Sequence, residues 1–144
     1  MSVFTEGEIA YLTGQPLGRF ATVDAKGRPS ARPVGVVFDP AADALVVGGV
    51  TGSNMAGSKK FRDVLVNPDV SFVVDDLASV DPWLPRGVEV RGVAETFLDG
   101  GVEEGLRLGA PFPFEPAWIR IRPRRIVSWG LTGDAFANEA REVI

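Results

Sequence analysis

Ser58-Lys59-Lys60-Phe61-Arg62 sets three cations within four positions, directly after a glycine-rich stretch and at the start of a segment with helical spacing. At a helix N-terminus, free backbone N–H groups, the positive end of the helix dipole and Lys side chains converge, as a phosphate or carboxylate requires. The chain as a whole carries a net charge of −4, so this positive charge is a local feature. The competing reading is a solvated helix face whose cations pair with Asp63 or Asp69.

The 144 residues include no His and no Cys. A Ser-His-Asp or Cys-His nucleophile, a zinc finger, a His- or Cys-ligated haem and an Fe–S cluster are therefore excluded. If the chain is an enzyme, a borrowed cofactor carries the chemistry. The adjacent carboxylates Asp75-Asp76 and Glu103-Glu104 have no partner constellation, so no catalytic residue and no metal ligand is assigned.

Gly52-Ser53-Asn54-Met55-Ala56-Gly57-Ser58-Lys59 imitates a nucleotide-binding P-loop with its final Lys and Ser exchanged. In a true P-loop the Lys directly follows the second Gly and the hydroxyl comes after it, so that reading is rejected. Trp83, between two prolines and near Arg86, suits stacking on a flat ring or contact with an anionic tail; a loop Trp plugging a barrel end or an interface fits equally. Arg120, Arg122, Arg124 and Arg125, interleaved with Ile119 and Ile121, read as an outward basic face of a strand.

The elements that must position these residues are mostly short strands. Thr5-Glu6-Gly7-Glu8 has the form of a capping box opening a short helix. Arg19 to Val23 and Ser30 to Phe38 flank an Asp24…Gly27 turn, and Ala44 to Gly49 follows a turn at 39–43, which predicts antiparallel neighbours. Ser58 caps a helix to about Val66, with Phe61, Val64 and Leu65 on one face and Asn67-Pro68 as the stop. Val70 to Asp75, the alternating Val88 to Glu95, a weak helix from Asp99 to Leu108, and strands Trp118 to Arg122 and Ile126 to Trp129 complete the chain.

The pattern predicts one domain, 1–144, mostly β: a six- to seven-stranded antiparallel barrel, closed or partly closed, with two or three short helices. The acidic balance argues against nucleic-acid binding. The absence of Cys and of any long apolar run predicts a soluble, cytoplasmic protein that does not enter a membrane.

In order and spacing the chain resembles the pyridoxamine-phosphate-oxidase-like split β-barrel proteins, and more closely their branch of oxidoreductases that use the deazaflavin coenzyme F420. The resemblance covers nearly the whole chain. It rests on Phe4-Thr5 with Glu8-Ile9 and Tyr11-Leu12, Leu17-Gly18-Arg19, Arg32-Pro33-Val34-Gly35, and Ser58 through Val64. It continues through Asn67-Pro68, Val73 to Asp76, Asp81-Pro82-Trp83 with Pro85-Arg86-Gly87, Trp118 to Ile121, Pro123 to Ile126 and Trp129-Gly130.

The resemblance implies a homodimer with two sites at the subunit interface and a small-molecule substrate. It implies that Arg32, Pro33 and Val34 lie along the cofactor ring, that Gly48 and Gly49 let backbone approach it, and that Ser58, Lys59, Lys60 and Arg62 bind the cofactor's phosphate. Trp83 and Arg86 would reach across the interface to the ring or the tail. The implied reaction is hydride transfer from reduced F420 to a conjugated enone or quinone-like acceptor, with polyketides of the tetracycline type among the substrates of similar proteins. An FMN-dependent oxidoreductase on the same fold and a non-catalytic flavin, deazaflavin or ligand carrier are the alternatives. Two departures accompany the resemblance. The Arg and His pair that the name-giving oxidases carry near the C-terminus is absent from Phe136 to Ile144, and Gly57 stands where close relatives often place an Arg.

Overall fold

The computed structural model describes residues 1–134 and 136–143; Ile144, the last residue of the C-terminal stretch named above, lies outside the described residues. The chain begins with the expected capping box: Glu8 N–H donates to Thr5 Oγ1 at 3.1 Å and Thr5 N–H to Glu8 Oε1 at 2.9 Å. This opens helix α1 (Glu6–Thr13). Strands β1 (Leu17–Val23) and β2 (Pro29–Gly35) form the predicted hairpin. At its turn Asp24 Oδ1 accepts from the Lys26 and Arg28 N–H groups, and Gly27 takes φ +78. The short β3 (Val37–Asp39) and β4 (Ala44–Val50) follow, then a 3₁₀ turn (Met55–Gly57) and α2 (Lys59–Val66).

The long strands come next: β5 (Asp69–Ser79), β6 (Leu84–Phe97) and β7 (Phe114–Trp129), with α3 (Gly101–Leu108) between the last two and a final β8 (Asn138–Glu142). All pairings are antiparallel, in the order β2-β1-β5-β6-β7-β4-β3, with β8 on β7. Among the described residues no pairing closes the sheet between β2 and β3, and the barrel is split there. The predicted alternation in β6 is observed, with Val88, Val90 and Ala94 inside and Glu89, Arg91 and Glu95 turned outward. Phe20, Phe72, Leu45, Ile119, Ile121 and Ile126 fill the interior. A second apolar cluster, Val46, Phe114 and Trp118, lies on the opposite side of β4 and β7. Among the described residues no helix is long and apolar enough to cross a membrane.

Three local expectations change. The two strands predicted at 118–122 and 126–129 are one strand, bent at a bulge: Gly92 faces Pro123 and Arg91 faces Arg125, leaving Arg124 as the extra residue. A Cβ at Gly92 would lie 2.0 Å from the Arg122 carbonyl oxygen, so β6 and β7 approach closely at the bend. On α2, Leu65 is solvent-exposed, whereas Phe61, Asp63 and Val64 are buried. Burial of Asp63, which accepts from the Thr22 hydroxyl at 2.8 Å, rotates the inward stripe away from Leu65. Strand β8 had no apolar alternation to announce it. Arg141 holds it in place by donating to both Glu8 oxygens and to the Val3 carbonyl.

Candidate functional site

Helix α2 packs against β1, the hydrogen-bonded neighbour of β2. Ser58 is extended, at φ −74 and ψ 156, and its hydroxyl accepts from Phe61 N–H, as an N-cap does. The same hydroxyl donates to the Met55 carbonyl at 2.7 Å and ties the cap to the preceding turn.

The two lysines that follow differ in their partners. Lys59 Nζ sits 2.7 Å from Asp63 Oδ2, the oxygen that also receives the Thr22 hydroxyl. This is the pairing that the competing reading of the cluster describes. Lys60 has no hydrogen-bond or ion-pair partner among the described residues and is half-buried. Burial, and after it the guanidinium of Arg32, holds its ammonium below the usual Lys range. Arg32 is paired across strands with the inward-facing Phe20, so it lies on the interior-side face of β2, at the split edge. It too is unpaired among the described residues. Arg32 is thus close enough to repel the Lys60 ammonium, and neither has an anionic partner among the described residues, which costs free energy unless a negatively charged group arrives.

Arg62 bends back over the first turn of the helix, and its Nη1 donates to the Gly57 carbonyl at 2.6 Å. A Cβ at Gly57 would lie 2.4 Å from Asn54 Nδ2. An Arg at this position would have to displace Asn54, so the departure noted at Gly57 is built into the loop. Val34 is half-buried at the margin of the core, and Pro33 lies opposite Arg19 on the outer face. Gly48 and Gly49 are buried at the end of β4, where the register shifts. A Cβ at Gly48 would lie 2.3 Å from the Phe114 ring and one at Gly49 2.7 Å from Met55 Cβ, so packing within the chain already requires both glycines.

The glycine-rich loop that imitated a P-loop cradles an anion of the chain itself. Glu115 Oε2 accepts from Gly52 N–H at 2.9 Å and Asn54 N–H at 3.2 Å, and Oε1 accepts from Met55 N–H at 2.6 Å. Glu115 lies about sixty residues along the chain, and no sequence pattern pointed to it.

Trp83 and Arg86 belong to the β5–β6 hairpin. Trp83 is 57% exposed in the connecting turn, with Leu77 and Val80 also exposed nearby. Arg86 is fully engaged: Nε and Nη2 grip the two Asp76 oxygens at 2.7 and 2.9 Å, and the guanidinium lies 5.3 Å from the Tyr11 ring centroid. Tyr11 donates its phenol to Asp76 at 2.8 Å. The hydrogen bonds from Arg86 hold the Asp76 carboxyl below its usual range, while burial and Asp76 raise the phenol's pKa. Arg32 lies in the row Arg32–Phe20–Phe72, and Asp76 is four residues beyond Phe72. At ~3.3 Å per residue that is about 13 Å along the strands, so one chain does not bring Arg86 to the Arg32–Lys60 pair.

The arginines of β7 form the predicted outward face. Arg122 pairs with Glu95, Arg124 with Asp69 and Arg125 with Glu142. Arg120 instead lies over Phe97 and Trp118, 5.1 and 5.0 Å from their centroids. Among the described residues no cluster of acidic side chains has the arrangement to hold a metal.

Residues 5–130 match the family model described as pyridoxamine 5'-phosphate oxidase. The chain belongs to this family. Its family resemblance extends to a 5a,11a-dehydrotetracycline/5a,11a-dehydrooxytetracycline reductase of Streptomyces rimosus subsp. rimosus, 41% identical over 141 residues that make up 97% of this chain and 93% of the relative. Among solved structures, an F420 reductase superimposes with a TM-score of 0.64 at 25% identity, covering 85% of this chain and 98% of that one. A conserved hypothetical protein of Mycobacterium tuberculosis shares the fold, with a TM-score of 0.67 at 24% identity, covering 90% and 87% of the two chains. The guanidinium of Arg141, in β8 beyond the matched residues, is taken up by Glu8.

Proposed function

We propose that this family member is a cytoplasmic, homodimeric reductase that uses F420H2 to reduce a conjugated enone or quinone-like acceptor of the polycyclic, tetracycline-like class. The observation that carries the reading is the pair of Lys60, in the first turn of the capped helix α2, and Arg32 of β2, two cations without a counter-charge among the described residues. A phosphate-bearing cofactor supplies the missing anion, and the name of one structural neighbour, an F420 reductase, supports a deazaflavin as that cofactor. When bound, the reduced deazaflavin supplies the hydride, so a chain without His needs no side-chain nucleophile.

The chain's own work is binding and orientation. Arg32 and Lys60 hold the phosphate, with Ser58 and Arg62 at the rim of the same helix turn. Lys59 acts through Asp63 to fix the helix on β1. Val34, on the same face of β2 as Arg32, extends the wall along which a flat ring lies, and Pro33 borders it through its backbone. Holding donor and acceptor at near-attack distance and keeping water out provides the rate gain. The exposed hairpin tip at Leu77, Val80 and Trp83 supports a second copy as its partner, bringing Trp83 to the other subunit's site. Arg86 contributes by fixing that hairpin to α1 through Asp76 and Tyr11.

Side-by-side fluorescence titration of the purified protein with F420 and with FMN tests the cofactor. Tight F420 binding, together with oxidation of F420H2 by at least one enone in a panel, is expected. A yellow protein whose stoichiometric FMN survives dialysis refutes the deazaflavin reading. Tight binding with no turnover on any acceptor leaves a carrier.

A further inference from the structure

The loop between β4 and α2 aims the N–H groups of Gly52, Asn54 and Met55 at one carboxylate. Gly52 at φ +91 and Asn54 at φ +59 supply the left-handed residues that let successive N–H groups converge, as in an anion-binding nest. The nest is anchored on two sides. Met55 is buried in the core at 1% exposure, and Glu115 sits at the start of β7, next to Phe114, which pairs with Val50 of β4. The Met55 N–H, with those of Asn54 and Gly52, keeps the Glu115 carboxyl below its usual range, so it is charged at neutral pH. The Met55 carbonyl then receives both the Ser58 N–H and the Ser58 hydroxyl, which passes the position of the loop to the cap of α2.

We propose that Glu115 is a positioning residue of the anion site, a proposal that rests on the reading of Arg32 and Lys60 given above. By filling the nest it fixes the loop so that Ser58 caps α2 with Lys60 turned toward Arg32. It also withholds the nest from phosphate, so that the ligand's anionic group goes to the two side-chain cations. The glycine-rich spacing that looks like a nucleotide loop is then a hinge-free bracket closed by the chain's own carboxylate.

Calorimetric titration with inorganic phosphate, alongside FMN and F420 titrations, tests this in the full-length protein and in Glu115→Ala, Glu115→Gln, Lys60→Ala and the Glu115→Ala/Lys60→Ala pair. The wild type is expected to take one phosphate per chain, and Lys60→Ala to lose it. Glu115→Ala is expected to gain a second phosphate in the vacated nest, one that persists in the double variant. Its affinity for the cofactor should fall about tenfold, the size of a lost charge-assisted contact, and acetate should restore it by refilling the nest. Acetate should leave the wild type unchanged, a response that general loosening of the fold does not produce. If Glu115→Ala does not fold, Glu115→Gln keeps the volume and turns an amide toward the N–H groups; the same tenfold loss is expected, without acetate rescue. Unchanged cofactor affinity in both variants, or no added phosphate and no acetate effect in Glu115→Ala, overturns the proposal. Phosphate retained by Lys60→Ala overturns the underlying site reading, in a titration that does not involve Glu115.

Discussion

Lys59 and Lys60 are neighbours of one residue type, and truncating each should have opposite consequences. In Lys60→Ala the lost ammonium has no partner among the described residues of the free protein, and its removal relieves repulsion on Arg32. Fold stability should therefore hold or rise slightly. In the complex the same change removes one of two cations from the anion. At a separation of ~4 Å and an effective dielectric of about 20 the bare attraction is about 4 kcal/mol per unit charge. Water replaces part of it and Arg32 remains, so the net loss should be ~1.5–3 kcal/mol, the range of charge-assisted hydrogen bonds. That is roughly 10- to 150-fold in Kd. Lys59→Ala instead removes the ammonium 2.7 Å from the buried Asp63, leaving the Thr22 hydroxyl as its side-chain partner. The half-exposed ammonium limits the effect, and a loss of about 1–2 kcal/mol of stability is expected, with little change in affinity.

The assay pairs F420 or FMN fluorescence titration with thermal denaturation of both variants. The dependence on pH adds a second axis. Because the Lys60 pKa is depressed in the free protein, anion affinity should be highest below that value and fall as pH rises through it. The stability of the free protein moves the other way. The unfolded chain holds this proton more tightly, so stability rises between the depressed pKa and the unfolded value of about 10.4. Unchanged Kd in Lys60→Ala, or equal losses of affinity in both variants, would refute the assignment of roles.

Three further outcomes are expected. Arg141→Ala strands the buried Glu8 carboxylate, which among the described residues keeps its Thr5 and Ser128 contacts. A loss of about 2–3 kcal/mol should appear in urea denaturation. Burial raises the Glu8 carboxyl, but Arg141, Thr5 and Ser128 together bring it below its ordinary value. Its contribution is therefore present above the unfolded carboxylate pKa and fades as pH falls through the folded one. Arg141→Ala should flatten that acid limb, and an unaltered limb would contradict it. Gly48→Ala forces a methyl against the Phe114 ring and should cost about 1–3 kcal/mol in a melting experiment; a neutral result would mean the ring moves freely. Trp83→Ala should weaken self-association, seen as a concentration-dependent shift toward monomer in sedimentation, and a monomeric wild type would remove the proposed role of the hairpin tip.

What the sequence makes legible is local. The Thr5 and Glu8 capping box, the Asp24…Gly27 turn and the Ser58 cap each arise among residues three or four apart, where side-chain chemistry alone decides the backbone. The period-two pattern of β6 is equally plain because one face is wet. The bulge in β7 is not legible, since its cause is the approach of Gly92 to the Arg122 carbonyl across the sheet. Nor is the difference between the two lysines, because the helix phase is set by a hydrogen bond from Thr22, forty-one residues away. Glu115 was unremarkable between Phe114 and Pro116, and its meaning depends on a loop sixty residues earlier. The resemblance brought Arg32 and Lys60 into one list, but only the register of β1 with β2 shows that Arg32 shares a face with Phe20.

The contact between Arg141 and Glu8 spans 133 positions, with seven strands made in between. During synthesis α1 emerges before β8, so Glu8 is made long before its partner Arg141. The barrel strands can pair before the clasp exists, while the carboxylate of Glu8 is without its cation until β8 adds to β7. A product stalled before Arg141 would carry a loosely seated α1. Chain order thus couples the docking of α1 to the arrival of β8.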